Sequence, residues 1–213
     1  MLEGLLPVSG YVRFFVTLTA VLDPFLAVPI FLALTAGRSG AERARLVRVV
    51  AITVFLVLAG SALFGEKLLL LVGASLSAFR VGGGLVLLLM ALAMLNAQAG
   101  GLRQSQDEAA ELQSGELSGV VPLAVPLLAG PGAISTTILA AQAGGAAHFG
   151  AILACILAVC VLTWVTLRLA EPIGQKLGTT GLNIATRLLG LLLAALAIQT
   201  MAEGLRQLFP GLG

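Results

Sequence analysis

Long apolar stretches govern what this chain can become. Six of them, at about 10–36, 46–65, 79–97, 119–143, 149–170 and 184–206, each approach or exceed what a membrane crossing needs. About 20 apolar residues cover roughly 30 Å of hydrocarbon in helical form. The charge content agrees. Only 10% of the 213 residues are charged and 59% are hydrophobic, whereas soluble domains average about 25% charged. So little polar surface excludes a soluble enzyme, a nucleic-acid binder and a disordered scaffold. The expected fold class is all-α, a polytopic membrane protein of six transmembrane helices, with the lipid bilayer as its surroundings. Twelve basic against ten acidic residues give a net charge of +2, which forms no basic patch for nucleic acid.

Lysine and arginine set the expected orientation. Arg38, Arg43, Arg45, Arg48, Arg103, Arg168, Lys176 and Arg187 fall on one side of the six spans, against Arg13, Lys67, Arg80 and Arg206 on the other. The richer side is predicted to be cytoplasmic, which puts both termini outside. The opening Met-Leu-Glu-Gly-Leu-Leu-Pro has no positive segment of the kind that starts a secretory signal, so the first span is expected to remain.

The chain also repeats itself at an offset of 107. Pro24 falls on Pro131, Gly37 on Gly144, Arg80 on Arg187 and Gly83 on Gly190. Glu66 and Glu171 match with a two-residue offset. The expected organisation is a first three-helix repeat over 1–97, a solvated cytoplasmic linker over 98–118 and a second three-helix repeat over 119–213. Three is odd, so the second repeat enters the membrane from the opposite side. Inverted repeats of this kind recur in secondary transporters.

Spans 1 and 4 carry helix breakers near mid-membrane, in Val21-Leu-Asp-Pro-Phe-Leu-Ala-Val-Pro29 and Val125-Pro-Leu-Leu-Ala-Gly-Pro-Gly-Ala-Ile-Ser-Thr136. An interior proline removes a donor and clashes with the turn before it. Asp23-Pro24 has the form of an N-cap followed by a first helical residue, and Gly130-Pro131 reads likewise. Simple kinks are one reading. The other is two interrupted helices whose second halves begin near the midplane with unpaired amides that favour a carboxylate. Asp23 is the sharpest signal, because a carboxylate inside a span costs a few kcal/mol or more and is rarely idle. It either caps its own half-helix or binds a cationic group or coupling ion, and the two roles are compatible. The candidate substrate site is Asp23, Pro24 and Phe25 with Gly130, Pro131, Gly132, Ala133, Ser135 and Thr136. Amides around Gly132 and Ala133 would meet a carboxylate, and the hydroxyls of Ser135 and Thr136 either donate to substrate or bond their own helix.

Glu66 with Arg80, and Glu171 with Arg187, read either as interfacial anchors or as ion pairs that close two gates in turn. Gly82-Gly83-Gly84 reads as a tight helix crossing or a backbone surface facing substrate. His148 is expected at the surface of a short turn. Cys155 and Cys160 point about 140° apart on a helix, so they neither pair nor share a metal. No cofactor and no metal are expected, and the chain carries no His-Glu-x-x-His run or in-span histidine beside a serine.

Asp23-Pro24 with Pro29-Ile-Phe, Gly65-Glu66, Phe79-Arg80-Val-Gly-Gly and Val121-Pro-Leu-Ala-Val-Pro-Leu-Leu-Ala-Gly-Pro-Gly-Ala-Ile-Ser135 resemble the MarC family of integral membrane proteins. That family includes the small neutral amino acid transporters called SnatA or NAAT. The resemblance covers nearly the whole chain. It implies a bacterial or archaeal inner-membrane carrier of glycine, alanine, serine or threonine, with a proton or cation as candidate coupling partner. The family often has glycine two residues after the span-1 proline, where this chain has Leu26, a bulkier side chain expected to narrow the pocket or shift substrate choice. A channel and an intramembrane enzyme are the rival readings, and the expectation is a carrier and not an enzyme.

Overall fold

Residues 7–35, 37–96, 128–142 and 144–212 are described by a computed structural model of the chain. Its helices are α1 (Val8–Leu22), α2 (Pro24–Leu34), α3 (Gly40–Val72), α4 (Leu76–Leu95), α5 (Pro131–Ala141), α6 (Ala146–Arg168) and α7 (Ala170–Leu208), then a 3-10 turn at Pro210–Leu212. Five stretches are long and apolar enough to cross a membrane: Val8–Leu32, Gly40–Leu71, Leu76–Leu95, Ala146–Arg168 and Ala170–Leu208. α5 is a shorter apolar helix. The predicted linker over 98–118 and the first part of the predicted fourth span lie outside the described residues.

Local chemistry explains where these helices start and stop. Ser39 caps α3, its hydroxyl taking the Glu42 amide at 3.3 Å while the Glu42 carboxylate takes the Ser39 amide at 2.8 Å. This reciprocal box satisfies two donors at once. α3 ends where Gly73 turns left-handed at φ 73°, and the Ala74 amide reaches back to the Leu69 carbonyl at 3.0 Å. Only glycine enters that region without a steric cost. A second left-handed glycine, Gly178 at φ 60°, breaks α7 internally. α2 and α5 both span 11 residues and both open on a proline, 107 positions apart.

The α1–α2 stretch is the centre of the bundle. In it 61% of the apolar window is buried, against 28–39% in the other four long stretches. Leu56, Leu71, Leu188 and Leu191 are each more than half exposed. In a bilayer such side chains face lipid and need no protein partner. α4 and α7 form the most extensive helix pair. A Cβ on Gly84 would lie 3.0 Å from the Ala197 carbonyl oxygen and 3.1 Å from the Met201 nitrogen. One on Gly190 would lie 2.9 Å from the Met94 Cβ and 3.2 Å from the Ala91 carbonyl oxygen. Early α4 thus meets late α7 and late α4 meets early α7, so the two run antiparallel. α3 likewise packs on α6, and α1 on both α5 and α6.

Polar contacts mark the two ends. At one, Arg43 pairs with Glu171. At the other, Arg13 pairs with Glu203 at 3.3 Å and Ser77 donates to Gln207 at 3.1 Å. α1 therefore begins and α7 finishes at the same end of the bundle. His148 corrects an expectation: it is fully buried in the first turn of α6 and not at the surface. Its Nε2 lies 2.8 Å from the Ala140 carbonyl and its Nδ1 2.8 Å from the Tyr11 hydroxyl. The last carbonyls of a helix lack intrahelical donors, and α5 draws one from this ring. Since a carbonyl only accepts, Nε2 carries the hydrogen, and in the neutral ring Nδ1 accepts from Tyr11.

The glycines of the α4 run differ in what surrounds them, which makes them a test of the packing. Gly84→Ala and Gly190→Ala push a methyl onto backbone and are predicted to cost about 1–3 kcal/mol. Gly82 has no atom within 4 Å of such a Cβ, so Gly82→Ala is predicted to be neutral or to gain up to ~1 kcal/mol from helix propensity. Thermal unfolding of the three variants in detergent checks this, and equal losses at all three would contradict the packing.

Candidate functional site

The central feature is the junction between α1 and α2. Asp23 is fully buried and sits in the left-handed region at φ 43°. Among side chains other than glycine, Asn and Asp tolerate that conformation best. Its amide donates to the Thr19 carbonyl at 3.0 Å, closing α1, and its Oδ1 accepts the Leu26 amide at 3.2 Å, opening α2. Pro24, next in line, has no amide to satisfy. One residue thus stops one helix and starts another, and Leu26 is buried while it does so.

α5 opens in a different way. Gly130 is its N-cap without any side chain to bond, and Pro131 is its first residue. The Gly130 carbonyl accepts the amides of Ala133 at 3.0 Å and Ile134 at 3.1 Å. This corrects the expectation that both the Gly132 and Ala133 amides stand ready for a carboxylate. The Ala133 amide is spent in a tightened first turn, whereas the Gly132 amide has no bond among the described residues. The two helix starts adjoin, since a Cβ on Gly132 would lie 3.3 Å from Val21, two residues before Asp23. It would also lie 2.5 Å from the Met90 sulfur and 3.2 Å from Leu87. In this conformation apolar side chains of α4 cover the start of α5.

The hydroxyls separate into two groups. Thr17, Thr19, Thr35, Ser61, Thr163, Thr166 and Thr200 each donate to the carbonyl one turn back, the usual arrangement inside apolar helices. Ser135 donates to the Gly132 carbonyl at 3.1 Å. Thr136 and Thr137, both buried, have hydroxyls with no hydrogen-bond partner among the described residues. Of the two predicted hydroxyl donors, Thr136 remains available and Ser135 does not.

Three cavities surround these elements. An apolar one of about 810 Å³ lies between α3, α4 and α5 and takes in Gly130, Pro131 and Ser135 together with Gly65, Gly82 and Gly83. Phe25 and Pro24 lie outside it, Pro24 buried and Phe25 packed against the core. A second, of about 300 Å³, lies at the Arg13–Glu203 end and takes in Arg80 and Thr136. A third, of about 250 Å³, lies at the opposite end beside Arg43 and Glu171.

The predicted gate residues are not paired with each other in this conformation. Glu171 meets Arg43 and not Arg187, while Glu66 and Arg80 form no ion pair among the described residues. Arg187 and Glu66 are exposed. Arg13, Arg43 and Glu203 were not singled out from sequence. Arg13 and Glu203 lie within the apolar spans predicted at 10–36 and 184–206, so the signal that marked Asp23 was present for them too.

These features define a class: a polytopic helical membrane protein with two adjoining mid-bundle helix starts, one carrying a buried carboxylate. Residues 8–209 match the family described as MarC family integral membrane protein. The chain is 33% identical over 213 residues to the UPF0056 membrane protein YhcE of Escherichia coli, covering 100% of this chain and 99% of that one. It is 38% identical over 204 residues to the UPF0056 membrane protein YvbG of Bacillus subtilis, covering 95% and 97%. A UPF0056 membrane protein of the archaeon Methanocaldococcus jannaschii is 35% identical over 197 residues, covering 92% and 96%. No solved structure matches. The chain belongs to the MarC family of integral membrane proteins.

The junction predicts a graded response at residue 23. Asp23→Asn keeps both the left-handed preference and a capping oxygen, so its stability is expected to fall by less than about 1 kcal/mol. Asp23→Ala loses the cap, a loss of about 0.5–2 kcal/mol, and adds about 1–2 kcal/mol of left-handed strain. Denaturation of the two variants side by side measures the gap, and equal stability would show that the carboxylate oxygen does not hold the junction.

Proposed function

We propose that this chain is a secondary transporter of small neutral amino acids, namely glycine, alanine, serine and threonine, that works by alternating access between two inverted three-helix halves. The observation that carries the reading is the adjoining pair of helix starts with fully buried Asp23 at one of them. A carboxylate in an apolar bundle supplies a partner for an ammonium group, and a coupling proton or cation would use the same oxygens. The Gly132 amide at the neighbouring start supplies a donor for the α-carboxylate. Glycine and alanine around both leave room for a small side chain only.

The inverted relation of the halves draws support from α4 and α7. They run antiparallel, with Gly84 against Met201 and Gly190 against Met94; the two methionines stand 107 positions apart and the two glycines 106, so the correspondence is approximate. An axis in the membrane plane relates contacts of that kind, and exchange between two nearly equivalent packings then opens a central site to either side. The cover of Met90, Leu87 and Val21 over Gly132 belongs to a closed arrangement, so access requires α4 to move away from α5. With the arginine-rich connections inside, both termini face outward.

Counterflow in proteoliposomes tests the carrier. Preloaded alanine should drive uptake of labelled alanine, glycine and threonine, whereas alaninamide and propionate should not. Asp23→Asn should abolish exchange in a protein that still folds. Gly130→Asp should also abolish it, because its carboxylate would cap α5 and repel substrate. Unsaturable flux without counterflow would establish a channel in its place, and exchange driven equally by propionate would exclude recognition of the zwitterion. A cysteine introduced at position 40 should react with an impermeant thiol reagent only from the cytoplasmic side; labelling only from outside would reverse the orientation.

A further inference from the structure

The cavity of about 300 Å³ at the partly open Arg13–Glu203 end of the bundle gathers several charged and hydroxyl side chains. Side chains from α1, α4, α5 and α7 converge on it: Arg13 and Thr17, Arg80, Thr136, and Thr200 with Glu203. Two guanidinium groups face one carboxylate. Arg13 is already paired with Glu203 at 3.3 Å, while Arg80 has no carboxylate partner among the described residues. Among the described residues, the side chains lining the cavity therefore carry one more positive than negative charge. Thr136 supplies a second and independent observation. It is 9% exposed and lines the cavity, and its hydroxyl has no partner among the described residues, although Thr17 and Thr200 in the same wall both bond their own helices. Leaving a buried hydroxyl unsatisfied is costly, and a ligand that accepts from it removes that cost.

We propose that this cavity is a second binding site, separate from Asp23, that takes small carboxylates with Arg80 as the charged ligand and Thr136 as a hydroxyl donor. A planar guanidinium matches a carboxylate with two parallel hydrogen bonds. Phe14, Leu87 and Ile152 close the remaining walls and limit the guest to a short apolar tail. The shared chemistry is the carboxylate, and a free monocarboxylic acid and an α-amino acid both present it. Glu203 favours the second source, since an ammonium group can displace Arg13 from it. The site does not need the transport reading to hold, because Asp23 does not line the cavity.

Equilibrium dialysis of the purified full chain in lipid nanodiscs with labelled propionate and labelled alanine tests it, with alaninamide as unlabelled competitor. The wild-type chain and Asp23→Asn should both bind propionate saturably, and alaninamide should not compete. Arg80→Gln should weaken propionate binding at least tenfold, Thr136→Val several-fold, and Arg80→Lys less than Arg80→Gln. Glu203→Gln should weaken alanine and leave propionate unaffected if amino acids are the natural guests; equal effects on both assign the site to simple carboxylates. Wild-type chain that binds no propionate, or binding that Arg80→Gln and Thr136→Val both leave unchanged, overturns the proposal. Because Thr136→Val keeps side-chain size, it decides the matter even if Arg80→Gln unfolds. Arg80-dependent binding in a chain without alanine counterflow would retain this site and reject the carrier.

Discussion

In hydrocarbon every backbone amide and carbonyl needs a partner within the protein, and leaving one unmet costs several kcal/mol. The architecture depends on how this chain meets that demand where α2 and α5 start inside the bundle. At Asp23 one residue closes α1 through its amide and opens α2 through its carboxylate. At Gly130 the carbonyl collects two amides from the first turn of α5. Both junctions are followed by proline, which brings no donor that needs a partner. The two solutions are chemically unlike. One places a carboxylate at the bundle centre and the other places only backbone there.

Everything around the junctions follows from close approach without bulky side chains. Water does not drive helices together in a bilayer, so contact area and small residues decide which helices pair. Gly84, Gly190 and Gly204 let α4 and α7 meet at backbone distance, and this tight pair walls the side of the bundle toward which α5 begins. Gly132 performs the same service between α5 and α4, where Met90 and Leu87 occupy the space a side chain would need.

Charge is kept to the ends, apart from Asp23. Arg43–Glu171 ties α3 to the start of α7, and Arg13–Glu203 ties α1 to its finish. Both pairs are partly open to the surroundings and therefore weak, on the order of 0–1 kcal/mol each. α7 joins both ends, and the left-handed Gly178 near its start sets the direction in which its long second part crosses the bundle.

Much of this was legible in the residue order, for reasons that are local. Apolar stretches of membrane length identify spanning helices because hydrocarbon thickness is a fixed ruler. Pro24 and Pro131 mark helix starts because a missing amide is tolerated only there. A lone Asp23 in an apolar stretch is conspicuous because its desolvation is so costly. The chain by itself settled its class, most of its helices and its family motifs. Tertiary structure alone decided which hydroxyls are spent on their own helices, that the Ala133 amide is used, that Glu171 meets Arg43, and that His148 lies buried between Tyr11 and Ala140. The last two of these depend on which helix faces which. In a chain so rich in leucine, alanine and glycine, many pairings look alike in one dimension. Only close packing in three dimensions chooses among them.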